Sequence, residues 1–123
     1  MMIQVKLIVA VIAGVLLSAP RSTSAQDPAR VGPDIYKLKL SEKGVRVFEV
    51  SFKPKQKIAP HSHPDHIVYA LTNGQITITE EGKEGKTMDV KAGDAMYLPA
   101  QTHHAENGNR ALKLLVVELP RQR

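Results

Sequence analysis

The sequence predicts an all-β chain folded as one small barrel, preceded by an export leader. Three observations predict it. Past the leader, no stretch keeps a helical period for more than two turns. Short runs rich in β-branched and aromatic residues recur about every ten residues, with turn residues between them. The length, 123 residues, is that of one domain.

The leader comes first. Lys6 is followed by Leu7 to Ala19, a run of 13 apolar and small residues, against the roughly 20 that cross a bilayer as a helix. Pro20 and a small polar stretch ending in Thr23-Ser24-Ala25 come next. A charged start, a short apolar centre and a small-residue end form a secretory signal, with cleavage expected after Ala25 and a periplasmic or secreted product. No stable membrane anchor then remains. Without Lys6 and Arg21, Lys and Arg fall from 17 to 15 against 12 acidic residues, and the net charge drops from +5 to +3. The basic residues are scattered rather than clustered with aromatics, which excludes nucleic acid as a partner.

Residues 26–34, with two prolines and a glycine, read as a flexible lead-in, and residues 35–119 as the barrel domain. Ile35 to Leu40 is the first candidate strand, bounded by Ser41-Glu42-Lys43-Gly44. Val45 to Phe52 follows, with Phe48, Val50 and Phe52 on one face. Pro54 and Pro60 punctuate the next turn. His66 to Thr72 is continuously apolar, and Asn73-Gly74 signals a hairpin into Gln75 to Thr79. A charged loop, Glu80 to Lys86, precedes strands at Thr87–Val90, Ala95–Leu98, His103–Asn107 and Ala111–Leu119. That makes roughly eight strands. Residues 120–123 form a tail.

With no cysteine in the chain, imidazole and carboxylate are the strong metal-binding side chains, which suits zinc, iron, manganese, nickel or copper. His61 and His63 stand at i and i+2, on one face of a strand and close enough to grip one ion. Alone, His-x-His is a weak signal. A second segment strengthens it: Gly93 to Pro99, then Gln101-Thr102-His103-His104-Ala105-Glu106-Asn107.

Together the two segments resemble the paired motifs of the cupin superfamily, G-x5-H-x-H-x3,4-E-x6-G and G-x5-P-x-G-x2-H-x3-N. His61, His63 and Gly74 match the first; Gly93, Pro99, a histidine and Asn107 match the second. The resemblance covers about Phe48 to Glu118. It implies a double-stranded β-helix, or jelly roll, holding a divalent transition metal. The chain departs from the pattern at three points. Lys55 stands for the first glycine. Ile67 stands for the glutamate, which leaves Asp65 and His66 as weak substitutes. The third histidine is His103 counted back from Asn107 and His104 counted on from Pro99. Strand alternation favours His103, which shares a face with Asn107.

The implied site is therefore His61, His63 and His103, with open positions for water or substrate. Three neutral ligands leave the charge of a divalent ion uncompensated. That suits oxygenase or isomerase chemistry on a small organic acid or phenol. A non-enzymatic module binding a small ligand or the metal is the alternative, since cupins do both. Tyr69 shares parity with Ile67 and Leu71 and is a weak catalytic candidate, though a core aromatic is the commoner reading. Asn107 reads equally as a pocket residue or a turn residue, and Met88 and Met96 as packing. Small cupins commonly pair through edge strands, so the resemblance implies a homodimer.

Overall fold

A computed structural model describes residues 26–121. The leader expected at residues 1–25 and the last two residues of the tail lie outside that range. Among the described residues, one helical turn, α1 (Pro28–Val31), precedes nine strands. These are β1 (Tyr36–Glu42), β2 (Val45–Phe52), β3 (Lys57–His63), β4 (His66–Ala70) and β5 (Gly74–Glu80). They continue with β6 (Lys86–Val90), β7 (Ala95–Leu98), β8 (Gln101–Asn107) and β9 (Leu112–Glu118).

The strands form two antiparallel sheets, ordered β1-β2-β9-β4-β7 and β3-β8-β5-β6. Inward positions alternate along each strand as a two-residue period requires. Phe48 and Val50 on β2 and Leu112 and Val116 on β9 are at most 2% exposed and form the centre of the core. The all-β class read from the sequence is the observed one.

Local chemistry explains the connections. Lys43 and Gly44, with φ of 48° and 85°, turn β1 back onto β2; positive φ at both central residues suits the right-handed twist of a hairpin. The charged loop after Glu80 joins the paired β5 and β6, as its composition predicts. Asn73-Gly74 behaves differently from the hairpin expected. β4 and β5 belong to different sheets, so the turn is a crossover between them. Gly74 packs tightly there: a Cβ would stand 3.1 Å from Leu112 Cδ1, and the leucine would have to shift by a few tenths of an ångström.

Two further readings are corrected. Pro60 does not end a turn but lies inside β3, an edge strand, where the register with β8 shifts between Ile58 and His61. An edge or a bulge is where a sheet tolerates a residue without an N–H. Residues 26–34 are anchored rather than loose: Asp27 caps α1 and Pro28 is fully buried.

Candidate metal centre

The two-residue period of β3 turns His61 and His63 inward and Ser62 outward. Ser62 Oγ lies 2.7 Å from Thr102 Oγ1 of β8. In register with His61 on β8 stands His103. From the other sheet comes His66, the first residue of β4. All four rings are buried, between 1% and 5% exposed.

One nitrogen from each of His61, His63 and His103 lies within 4.8 Å of the other two. Two nitrogens bound to one ion at about 2.1 Å stand no more than about 4.2 Å apart, so the trio is within about half an ångström of that limit or closer. The ring centroids are 4.7 to 5.0 Å apart with interplanar angles of 57° to 84°. His66 stacks on His63, centroids 4.4 Å apart and planes 24° apart, and stands 6.4 Å from His103. It borders the trio without completing it.

Every one of the four Nδ1 atoms faces a protein oxygen. His61 Nδ1 donates to the Ala59 carbonyl at 2.8 Å and His66 Nδ1 to the Pro64 carbonyl at 2.8 Å. His63 Nδ1 donates to Glu118 Oε2 at 2.8 Å, and His103 Nδ1 to Gln101 Oε1 at 2.7 Å. These acceptors place the proton on Nδ1 and leave the Nε2 lone pair for the cluster, the usual arrangement behind a metal-binding imidazole. His61 Nε2 is buried with no hydrogen-bond partner, an orphan that a native interior seldom leaves. A metal ion is the group that the donor set fits.

Burial keeps the His61, His66 and His103 rings neutral. It pulls the pKa of His61 and of His66 down to about 4. Burial and the neighbouring imidazoles pull His103 down to about 2. Neutral imidazole is the form that binds metal.

Of the other candidates, His104 is exposed on the opposite face of β8. Asp65 is turned to the surface, where it accepts from the Tyr97 hydroxyl at 2.6 Å and the Ala100 N–H at 2.9 Å. Tyr69 is 42% exposed and points out of the barrel. Both of its sequence readings, catalytic phenol and core aromatic, are corrected. The physical reason is the Pro64-Asp65 turn, which resets the alternation so that His66, Val68 and Ala70 face inward. Ile67, at the motif's glutamate position, faces away from them. Asn107 is buried, but its amide donates to the carbonyls of Lys53 at 2.9 Å and Arg110 at 2.7 Å. It ties two loops together at a distance from the cluster.

Sequence reasoning missed Tyr36 and Glu118. The Tyr36 hydroxyl stands 3.5 Å from His63 Nε2, and its ring packs edge-on against His61. Burial and the Glu118 charge raise its pKa, so the phenol keeps its proton. Both residues belong to strands of the other sheet, and no motif spacing points to them. Behind the histidines opens a cavity of about 60 Å³, walled mainly by aliphatic side chains, with Met88 and Met96 among them.

The sequence profile of the cupin domain matches residues 48–118. None of the curated proteins matches the chain. Among solved structures, a cupin domain from Bordetella pertussis Tohama I is similar with a TM-score of 0.64 at 20% identity, covering 69% of this chain and 91% of that one. A conserved protein with a double-stranded β-helix domain from Klebsiella pneumoniae has a TM-score of 0.56 at 24% identity, covering 84% and 90%. A conserved protein of unknown function from Streptococcus pyogenes has a TM-score of 0.55 at 24% identity, covering 72% and 75%. At these identities the likeness concerns the fold.

Proposed function

This chain belongs to the cupin family, and from that premise we propose that it is an exported metal-binding cupin acting on a small phenol or organic acid. The observation that carries the reading is the set of four Nδ1 atoms held by protein oxygens behind a nitrogen trio within 4.8 Å. His61, His63 and His103 would hold a divalent ion of zinc, iron, manganese, nickel or copper. When bound, such an ion supplies a Lewis-acidic centre for an anionic oxygen or for dioxygen.

The chain's own residues contribute the rest. Largely aliphatic walls lower the local dielectric, which strengthens polar interactions inside. Tyr36, still protonated, offers a hydrogen-bond donor beside His63. No Lys or Arg lines the cavity, so a phenol or a singly charged enol suits it better than a multiply charged acid. That same lining supports the second reading, a module that binds a small apolar ligand without turnover. Apart from the histidines and Tyr36, its ionisable groups are Asp89 and Asp94. In either reading, Leu38 and Leu40, each 51% exposed on the edge strand β1, are where a second copy would pair.

The test is elemental analysis of protein recovered from the exported fraction without added metal, together with its mass. About one equivalent of a transition metal, lost in a His61→Ala, His63→Ala variant, supports the site. A mass starting at Gln26 supports export. Metal-loaded protein that turns over no phenol or small acid in a substrate screen leaves the binding module as the function.

A further inference from the structure

We propose that Asp27 is the outermost positioning residue of the histidine cluster, acting on His63 through Arg46 and Glu118, so that the segment before the barrel sets how tightly the metal is held. This rests on the metal-centre reading above. The contacts form one unbroken chain. His63 Nδ1 donates to Glu118 Oε2 at 2.8 Å. The other carboxylate oxygen, Oε1, accepts from Arg46 Nη2 at 2.7 Å and from Arg46 Nε at 3.1 Å. The far side of the same guanidinium reaches Asp27, Nη1 to Oδ2 at 2.9 Å and Nη2 to Oδ1 at 3.3 Å. Asp27 is held in turn by α1, whose Ala29 N–H donates to Oδ1 at 3.0 Å.

Each link constrains the next. A guanidinium is a planar fork, and one that grips two carboxylates cannot turn for one without turning for the other. The Glu118 side chain is 3% exposed and that of His63 is 1%, so neither has water as an alternative partner. Burial would raise the Glu118 carboxyl, yet the hydrogen bonds from His63 and Arg46 and the charge of Arg46 outweigh it and hold it below its ordinary value. Arg46 also lies 4.8 Å over the Phe48 ring, which limits its swing. The leading segment has a second hold on the metal-bearing sheet. Ser62, between the two histidines of β3, donates from Oγ to Gln26 Oε1 at 3.0 Å. Gly32 packs so closely on β3 that a Cβ would stand 2.6 Å from Ile58 Cδ1.

Nothing in β3 or β8 requires an aspartate at position 27. The chain of contacts does, because Arg46 without Asp27 keeps its charge but loses half of its fixed orientation. Glu118 then has freedom to rotate, and the His63 ring follows it.

The experiment expresses the full chain with Asp27→Asn, Arg46→Lys or Glu118→Gln. It measures zinc affinity by chelator competition, the visible spectrum of the cobalt-loaded protein, and the His63 Nδ1–H proton resonance of the metal-free protein. Asn caps a helix about as well as Asp, so Asp27→Asn removes the ion pair and leaves α1 in place; Asp27→Ser does the same should the first variant fold poorly. Partners behind a metal ligand are typically worth 10–100-fold in affinity, so Glu118→Gln weakens zinc by about that much. Arg46→Lys weakens it about tenfold and Asp27→Asn about threefold or more, with the His63 resonance and cobalt bands moving in the same order. A merely structural role would lower the melting temperature and leave all three readouts alone. If Glu118→Gln weakens zinc while Asp27→Asn and Arg46→Lys stay within about twofold, the chain ends at Glu118 and the proposal is wrong. If the wild type binds no zinc, the metal-centre reading falls first and takes this one with it.

Discussion

His61 and His103 face each other in register on β3 and β8, their rings 4.7 Å apart and turned 84° to one another. Neighbouring antiparallel strands bring opposed side chains to about 5 Å, so two imidazoles meet here without any strain in the backbone. His61 and His103, 42 residues apart in the chain, are brought into one site through a single strand pairing.

From this pairing follows the first prediction. His103→Ala should lower metal affinity by more than the roughly 100-fold seen when a residue behind a ligand is lost. His104→Ala, on the exposed face of β8, should leave it within about twofold. Metal content after dialysis against a weak chelator separates the two.

His66 carries the second. Its ring lies 4.4 Å from that of His63, so a carboxylate at this position would stand beside the trio. His66→Glu should tighten divalent metal binding, because an anion offsets the ion's charge. The metal-free variant should be less stable by about 1–3 kcal/mol, since it buries a polar group without a partner. Chelator competition and urea denaturation, with and without metal, give the two opposite signs. A metal-free variant as stable as the wild type would show that His66 is less enclosed than described.

Acid should unfold the metal-free protein in a defined window. His61 and His66 have folded pKa values of about 4 and His103 of about 2, while unfolded histidine titrates near 6.5. Between these values the unfolded chain binds protons that the folded chain refuses, so stability falls as the pH drops below about 6.5 and continues down through about 4. Glu118, held below its ordinary value, acts in the same direction at the acid end. Denaturation midpoints at pH 7.5, 6, 5 and 4 trace the slope; a midpoint that rises toward pH 5 would contradict it.

Asn107 gives a test that separates folding from metal binding. Its amide satisfies two loop carbonyls and does not approach the cluster. Asn107→Ala should therefore cost about 1–3 kcal/mol of stability, the cost of buried groups left unpaired, and leave the zinc dissociation constant unchanged.

Lys55 occupies the position of a motif glycine and has φ of 62°. A side chain in this left-handed region costs roughly 1–2 kcal/mol, a cost glycine escapes. Lys55→Gly should thus raise stability, by up to about 1 kcal/mol once the greater freedom of glycine in the unfolded chain is counted. Thermal melts of the metal-free proteins check this.

Much of the fold was legible because it rests on local rules. The period of two placed Phe48, Val50 and Phe52 inward, and the same rule put His103 and Asn107 on one face with His104 on the other. Gly93, with φ of 94°, shows why a motif reserves glycine at that turn. The misses arise where local rules stop. Parity along His66 to Thr72 was wrong because the alternation restarts after Pro64-Asp65, and a continuously apolar run carries no internal sign of which face is which. Asn73-Gly74 resembles a hairpin turn equally well whether the next strand pairs with the last or crosses to the opposite sheet. Tyr36 and Glu118 reach His63 across the sandwich, and a contact between residues 27 or 55 positions apart leaves no trace in spacing. The Asp27–Arg46 ion pair that anchors residues 26–34 is invisible for the same reason.

Pro60 has one more consequence. It sits at the bulge of β3, on the outer margin of the four-stranded sheet, and offers no N–H to either side. A foreign β-segment laid along this margin would find its ladder interrupted beside His61 and His63. Cross-β templating is thereby discouraged where a slip of one residue would turn both imidazoles out to water.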